Sequence, residues 1–285
     1  MLRILLLSDI HFIHCEDDEN DYRSLETAFV EAMDDVRDSG GVNQILICGD
    51  IANWGKEEEY NTAEVFLQSI LNRLECDERR TQIYVVPGNH DVDRSVNALT
   101  RRAWRDTLLD LTTADDFIKQ AKHKELDTLR TIYSPFEAYH KFANKHSSAD
   151  AVAVGILSGS NNYNNMSFRK EVDLGMLDNY LVRLHCLNSA LLCDKEDVND
   201  PRSIKDGEHK LYIPRFAYNV DTNSTVVNIS MMHHPHAWFE NEDALRTEFD
   251  RKFKFQIYGH VHTQSISQDE EGKSAIRLQV GSLHP

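Results

Sequence analysis

The sequence has no paired cysteines. Five are present, Cys15, Cys48, Cys76, Cys186 and Cys193, an odd number with no C-x-x-C pair among them. That pattern excludes a disulfide framework and fits free thiols in a reducing compartment. No apolar run approaches the roughly 20 residues of a membrane-spanning helix, so no membrane partner is expected. The opening "MLRILLLSD" is too short for a secretory signal and lacks a small-residue cleavage site. The expected location is the cytoplasm. Positive charge is also in deficit: 31 basic against 47 acidic side chains leave a formal net charge of −16. Such a chain repels nucleic acid and anionic membrane in general, while leaving room for a local basic groove. No internal repeat or low-complexity tract is present.

What is there is an ordinary globular composition, 41% hydrophobic and 27% charged over 285 residues. Folds of the α/β class at this length are often one domain with a large core. "LRILLLS" (2–8), "QILIC" (44–48) and "QIYVV" (82–86) read as strands. They are continuously apolar, as expected when both faces of a sheet are covered. Between the first two, Leu25, Phe29, Ala32, Met33 and Val36 fall on one helical face, and Gly40-Gly41 ends that helix. Between the second and third, Tyr60, Ala63, Phe66, Leu67, Ile70, Leu71 and Leu74 repeat the pattern. The order β-α-β-α-β predicts parallel pairing with right-handed crossovers.

Residues 94–146 are rich in charge and helix formers and predict two to four helices. A helical insertion at about 94–150, covering the site within a single domain spanning 1–285, is expected. Strands are expected again at "AVAVGIL" (151–157), "VRLHCLNSA" (182–190), "TVVNISMM" (225–232), "FKFQIYG" (253–259) and "SAIRLQVGS" (274–282). Long surface loops are expected at 158–171 and 194–209. The last strand runs almost to His284-Pro285, as in a truncated chain or one module of a longer protein.

Polar motifs follow the strands. "SDIHF" (8–12), "GDIANWG" (49–55), "GNHD" (88–91), "MMHHP" (231–235) and "YGHVH" (258–262) each begin where an apolar run stops. Side chains just past the carboxyl ends of neighbouring parallel strands converge on one crevice. The converging set is Asp9, His11, Asp50, Asn89, His90, His233 or His234, His260 and His262. Alone, most of these motifs would be ordinary polar turns; five together are very improbable in a purely structural chain. Imidazoles, carboxylates and an amide oxygen, without thiolate, suit manganese, iron, zinc or nickel. The ligands are too many for one four-coordinate ion and right for two, spaced about 3.5–4 Å apart as in phosphoryl displacement. Asp50, in the middle of the set, is the natural bridge. His260 and His262 share one side of an extended segment and could serve one ion each. Asn89 reads as a ligand, and His90 as a catalytic imidazole whose orientation Asp91 could hold.

At this point the residues resemble the calcineurin-like metallophosphoesterase superfamily. Its pattern is Asp-x-His, Gly-Asp, Gly-Asn-His-Asp/Glu, His and Gly-His-x-His in that order, and all five blocks are present between residues 9 and 262. The resemblance implies a four-layer α/β/β/α sandwich with two mixed sheets and a dinuclear site at one edge. One ion, manganese favoured, would take Asp9, His11, Asp50 and His262; the other would take Asp50, Asn89, His233 and His260. His90 would contact the scissile phosphate and assist the leaving group, with a hydroxide between the ions as nucleophile. The resemblance also favours His233 as the ligand in "MMHHP", leaving His234 to face substrate, with Asn89 and His90, or to lie behind the ligands.

"GDIANWGKEEEY" and "MHHP" look most like the bacterial class III cyclic-nucleotide phosphodiesterase branch. The implied function is metal-dependent hydrolysis of a phosphodiester, either a nucleotide or a related small molecule. A nuclease acting on DNA or RNA, as an effector module of a larger protein, is the alternative. The charge of −16 weighs against it, and "TRRAWR" (100–105) with Arg94 offers only a local positive rim. A non-catalytic scaffold of the same fold is a third reading, but scaffolds typically lose ligands and none is missing here.

Overall fold

An unbroken apolar strand must be covered on both faces, and the first half of the chain folds that way. The computed structural model describes residues 2–12, 19–75, 81–97, 99, 133–146, 152–154, 169–191, 193, 211–268 and 275–283. Strands β1 (Ile4–Leu7), β2 (Gln44–Ile47) and β3 (Gln82–Val85) form an all-parallel sheet in the order β1-β2-β3. Helices α1 (Glu19–Asp38) and α2 (Glu57–Arg73) make the crossovers. On β2 alternate residues serve different cores. Ile45 and Ile47 join Met33, Phe66, Leu67 and Ile70 from the helices, while Leu46 packs among residues of the second sheet. All seven residues of the expected α2 face are buried; on α1 Met33 is buried but Ala32 is exposed.

The second sheet holds the remaining described strands: β4 (Val152–Val154), β5 (Arg169–Leu177), β6 (Tyr180–Leu187), β7 (Val226–Met231), β8 (Phe255–Tyr258), β9 (Ser265–Ser267) and β10 (Ile276–Gln279). Their order is β4-β5-β6-β7-β8-β10-β9. The pairs β6/β7, β7/β8 and β8/β10 are parallel and the others antiparallel, so this sheet is the mixed one. Leu46, Cys48, Tyr84 and Val86 meet Val172, Leu184, Ile229, Met231 and Ile257 in the core between the sheets. Two more helices are described. Helix α3 (Glu137–Lys145) follows a 3₁₀ turn at Ser134–Phe136 and lays Phe142 against Tyr60 of α2, ring centroids 5.3 Å apart. Helix α4 (Glu242–Lys252) buries Leu245 and Phe249 in the helix-side core that also holds Tyr258, neighbour of Ile257. The layers are the expected α/β/β/α. No described helix is long and apolar enough to cross a membrane.

Three elements were not expected. Residues 169–171, read as loop, belong to β5, whose charges obscured its alternation. Val172 and Leu174 point inward, while Glu171 and Asp173 pair with Arg183 of β6 at 3.2 and 2.6 Å. Arg169 is buried, its Nη1 donating to the carbonyls of Ala217 (3.0 Å) and Asn219 (3.2 Å). These partners are tertiary, so no local pattern announces them. Strand β9 is a short, exposed edge, and α4 carries only a thin apolar stripe among charges. The loops at 158–168 and 194–209, the run 100–105, and most of the expected insertion lie outside the described residues.

Candidate metal centre

The carboxyl ends of both sheets deliver the site. Asp9 follows β1, Asp50 follows β2, Asn89 and His90 follow β3, His233 follows β7 and His260 follows β8. Hydrogen bonds sew the two sets of loops together. The His260 backbone N–H donates to both oxygens of Asp9, at 3.1 and 3.0 Å, and His233 Nδ1 lies 2.7 Å from the Cys48 carbonyl. Two glycines permit the approach. A Cβ on Gly88 would overlap the Asp50 carboxylate, and one on Gly259 would overlap the Ser8 hydroxyl. The backbone is bent hard here: Asp9, His11, Asp50, His260 and His262 all adopt positive φ, between 51° and 74°. Non-glycine residues hold such conformations at a cost of about 1 kcal/mol or more each, and they cluster where function over-determines the geometry.

The donor atoms face one another. His233 Nε2 lies 3.1 Å from Asp50 Oδ2, 3.2 Å from Asn89 Oδ1 and 3.2 Å from His260 Nδ1. His262 Nε2 lies 3.4 Å from Asp9 Oδ1 and 3.4 Å from His11 Nε2, and His11 Nε2 is 4.0 Å from both Asp9 Oδ1 and Asp50 Oδ2. Asp9, Asp50, Asn89 and His233 are buried, whereas the His262 side chain keeps 46% of its surface. The cage is therefore closed behind and open at His262.

Electrostatics follows from two buried carboxylates side by side. Burial alone would raise Asp50, but the charge and hydrogen bond of His233 hold it well below the usual carboxylate range. Asp9 is likewise lowered against the pull of burial, by His233, His262 and Ser8. Burial pulls His233 down, yet Asp50 and Asp9 push it up to about 9. Two carboxylates held ionised in a dry pocket demand positive charge. His11 falls to about 4, through burial and the neighbouring His90 and His262, and His260 falls to about 3, through burial and then His233. These two imidazoles are neutral at pH 7 and carry lone pairs. Ionised carboxylates beside neutral imidazoles are what a borderline divalent ion needs.

The donors fit such ions. Ligand atoms of Asp9, His11 and His262 lie within 4.8 Å of one another, as do those of Asp9, Asp50 and His233, of His11, Asp50 and His90, and of His233, His234 and His260. Asp50 is shared between the His11 side and the His233 side, and Asn89 Oδ1 adds an oxygen on the latter. The seven expected ligands are thus brought together.

One expectation requires correction. Asp91 does not orient His90. Its buried carboxylate accepts the backbone N–H groups of Ile51 (3.1 Å), Ala52 (3.0 Å) and Gly88 (2.9 Å), and the Tyr60 hydroxyl at 2.8 Å. It ties the loop after β2 to the loop after β3, and burial with the nearby Asp50 charge pushes it up to about 7. His90 is held instead by the Asn53 carbonyl, 2.9 Å from Nδ1, while its own N–H donates to Asp50 Oδ1 at 2.7 Å. Of the two places expected for His234, the structure gives the one behind the ligands. It is fully buried, with Ser189 Oγ 3.0 Å from Nδ1 and Cys193 Sγ 3.6 Å from Nε2. It lies behind the ligands, its ring edge-on to His233.

Sequence reasoning missed the supporting groups. Ser8 Oγ donates to Asp9 Oδ2 at 2.5 Å, Ser282 Oγ donates to the Asp9 carbonyl at 2.8 Å, and Trp238 meets the His260 ring edge-on at 4.7 Å. Ser8 stood inside a quoted motif. Ser282 and Trp238 carried no signal.

An α/β sandwich with such a cage at its strand ends defines a class of metal-dependent phosphoesterase. The family profile of calcineurin-like phosphoesterases matches residues 2–264, and the chain belongs to that family. Its fold is similar to that of a dimetal phosphatase from Danio rerio, with a TM-score of 0.51 and 13% identity over 99% of this chain and 88% of that one. A purple acid phosphatase from yellow lupin is similar at a TM-score of 0.47 and 14% identity, over 98% of this chain and 44% of that one. No curated protein matches the sequence significantly.

Proposed function

We propose that this protein is a metal-dependent phosphodiesterase acting on a nucleotide or a related small phosphodiester. The observation that carries the reading is the convergence of Asp9 and Asp50 with five imidazoles and Asn89 at the ends of strands from both sheets. Asp9, His11, Asp50 and His262 would hold one ion and Asp50, Asn89, His233 and His260 the other, with manganese favoured. When bound, the ions supply Lewis acidity toward phosphoryl oxygens and a water activated at neutral pH.

His90 supplies the remaining chemistry. Its Nδ1–H donates to the Asn53 carbonyl, which leaves Nε2 as the working atom. A proton carried there passes to the leaving alkoxide oxygen as its bond to phosphorus breaks. Asp91 acts through the loops it ties and is a positioning residue. A singly charged diester suits the site better than a dianionic monoester because, among the described residues, Lys56 is already neutralised and Arg94 keeps its charge beside the ligands. Lys56 is paired with Asp93 at 2.8 Å, and Arg94 donates to the Asn89 carbonyl at 3.1 Å. A small substrate suits a chain of net charge −16 better than nucleic acid does. The test is to assay the manganese-loaded protein with bis(p-nitrophenyl) phosphate, p-nitrophenyl phosphate, cyclic nucleotides and single- and double-stranded nucleic acid. Diesters of low mass should be hydrolysed fastest. A faster monoester would make it a phosphatase, and faster nucleic acid a nuclease.

A further inference from the structure

The loop after β2 carries a side chain that the metal centre does not use. Trp54 leaves 56% of its surface in solvent, on a loop fastened along its length. Ile51 and Ala52 donate to Asp91, and the backbone N–H groups of Trp54 and Lys56 donate to Glu59 Oε2 at 3.0 and 2.9 Å. Glu59 is itself buried, and burial raises its pKa, so a costly carboxylate is spent on holding this turn. Lys56 Nζ reaches Asp93 at 2.8 Å, and Gly55, at φ +66°, presses against the backbone of Val92 and Asp93. A slack loop would let an indole fold onto the surface. This one presents it.

The position matters as much as the exposure, since single exposed aromatics are ordinary. Trp54 directly follows Asn53, whose carbonyl oxygen is 2.9 Å from His90 Nδ1. Peptide geometry sets the Trp54 Cα about 2.8 Å from that oxygen, hence within about 6 Å of the His90 ring. An indole spans a comparable distance, so from this Cα a ring can come beside the imidazole that serves the leaving group. Val261, between His260 and His262, is 42% exposed and gives the opening a second apolar edge.

We propose that Trp54 is a stacking platform for a flat aromatic group, such as a nucleobase, on the ester whose phosphate lies at the metal centre. The proposal rests on the phosphoesterase reading above and narrows its substrate class. Stacking suits the task because every base has a π-face and an indole loses little freedom when covered. Alkyl esters would forgo it.

The test compares two ligands that differ only in the base. Binding of adenosine 5′-monophosphate and of ribose 5-phosphate to the manganese-loaded protein is measured by calorimetry for wild type, Trp54→Ala and Trp54→Phe. Wild type should bind the nucleotide roughly ten- to a hundredfold tighter. Trp54→Ala should bring the two ligands within a fewfold of each other, and Trp54→Phe should keep most of the gap. Ribose 5-phosphate should bind all three alike. A wild type with no gap, a gap that survives Trp54→Ala, or an equal loss for both ligands overturns the proposal. Binding needs no turnover, so a protein that discriminates the base yet hydrolyses nothing would sink the phosphodiesterase reading alone.

Discussion

The loops of the three-stranded sheet and those of the seven-stranded sheet reach the same centre with opposite electrical character. The first sheet contributes the two buried carboxylates, Asp9 and Asp50, together with His11, Asn89 and His90; the second contributes only imidazoles, His233, His260 and His262. Negative charge therefore comes from one half of the chain, while the other supplies imidazoles alone. The carboxylates pull His233 up to about 9, while His260, one ring further out, falls to about 3. What this teaches is a division of labour. The first sheet creates the demand for cations, and the second shapes how that demand is met.

The sharpest way to break the comparison is at Asp50, the group shared between the two sides. Asp50→Asn removes charge without volume and should take hydrolysis down by roughly 10³-fold or more, the several kcal/mol a bound ion supplies. Circular dichroism should remain unchanged. Near-normal turnover would mean that the negative charge is not central.

His90→Ala should cost less, about 10²–10³-fold on esters with poorly acidic leaving groups, and less again on p-nitrophenyl esters, whose phenolate needs no proton. Metal content should stay the same. Lost metal would make His90 a ligand, and equal penalties on both substrates would make it a phosphate clamp.

The pH profile of the metal-free protein separates the two classes of histidine. Burial lowers His140 to about 3, His185 to about 4 and His236 to about 3, so their stabilisation is complete above pH 6.5 and lost as pH falls toward 4. His233 is raised, so its contribution is present below pH 6.5 and lost as pH climbs through about 9. Thermal melts after chelation should peak near pH 6.5 and decline both ways, with manganese abolishing the alkaline decline. Stability that rises from pH 6.5 to 9 without metal would contradict this account of His233.

The smallest effect belongs to the charged face of β5 and β6. Arg183 pairs with Asp173 at 2.6 Å, but the Asp173 side chain is 48% exposed. Arg183→Ala should cost about 1 kcal/mol or less in urea denaturation and nothing in turnover. A larger loss would mean that this face does more than pair charge.

The same two regions differ in how legible they were. The β-α-β-α-β half could be read because its strands are continuously apolar and the α2 stripe from Tyr60 to Leu74 keeps strict helical spacing. The ligands could be read because unlike residues after five of the strands have no packing reason to be there. Strand β5 was hidden because Arg169 finds its partners in the carbonyls of Ala217 and Asn219, far along the chain. The partner of His90 was misassigned for a related reason. Asp91 adjoins it in sequence, yet a backbone carbonyl 37 residues away, at Asn53, holds the ring. Side-chain motifs show in a sequence, whereas carbonyl acceptors do not, since every residue has one.

The central claim is that carboxylates from one sheet and imidazoles from the other build a two-ion centre bridged by Asp50. Elemental analysis after manganese saturation and gel filtration tests it most directly, on wild type and Asp50→Asn side by side. The account predicts about two equivalents per chain in wild type, both weakened in the variant. One equivalent or fewer in wild type, or two retained undiminished by Asp50→Asn, would contradict it.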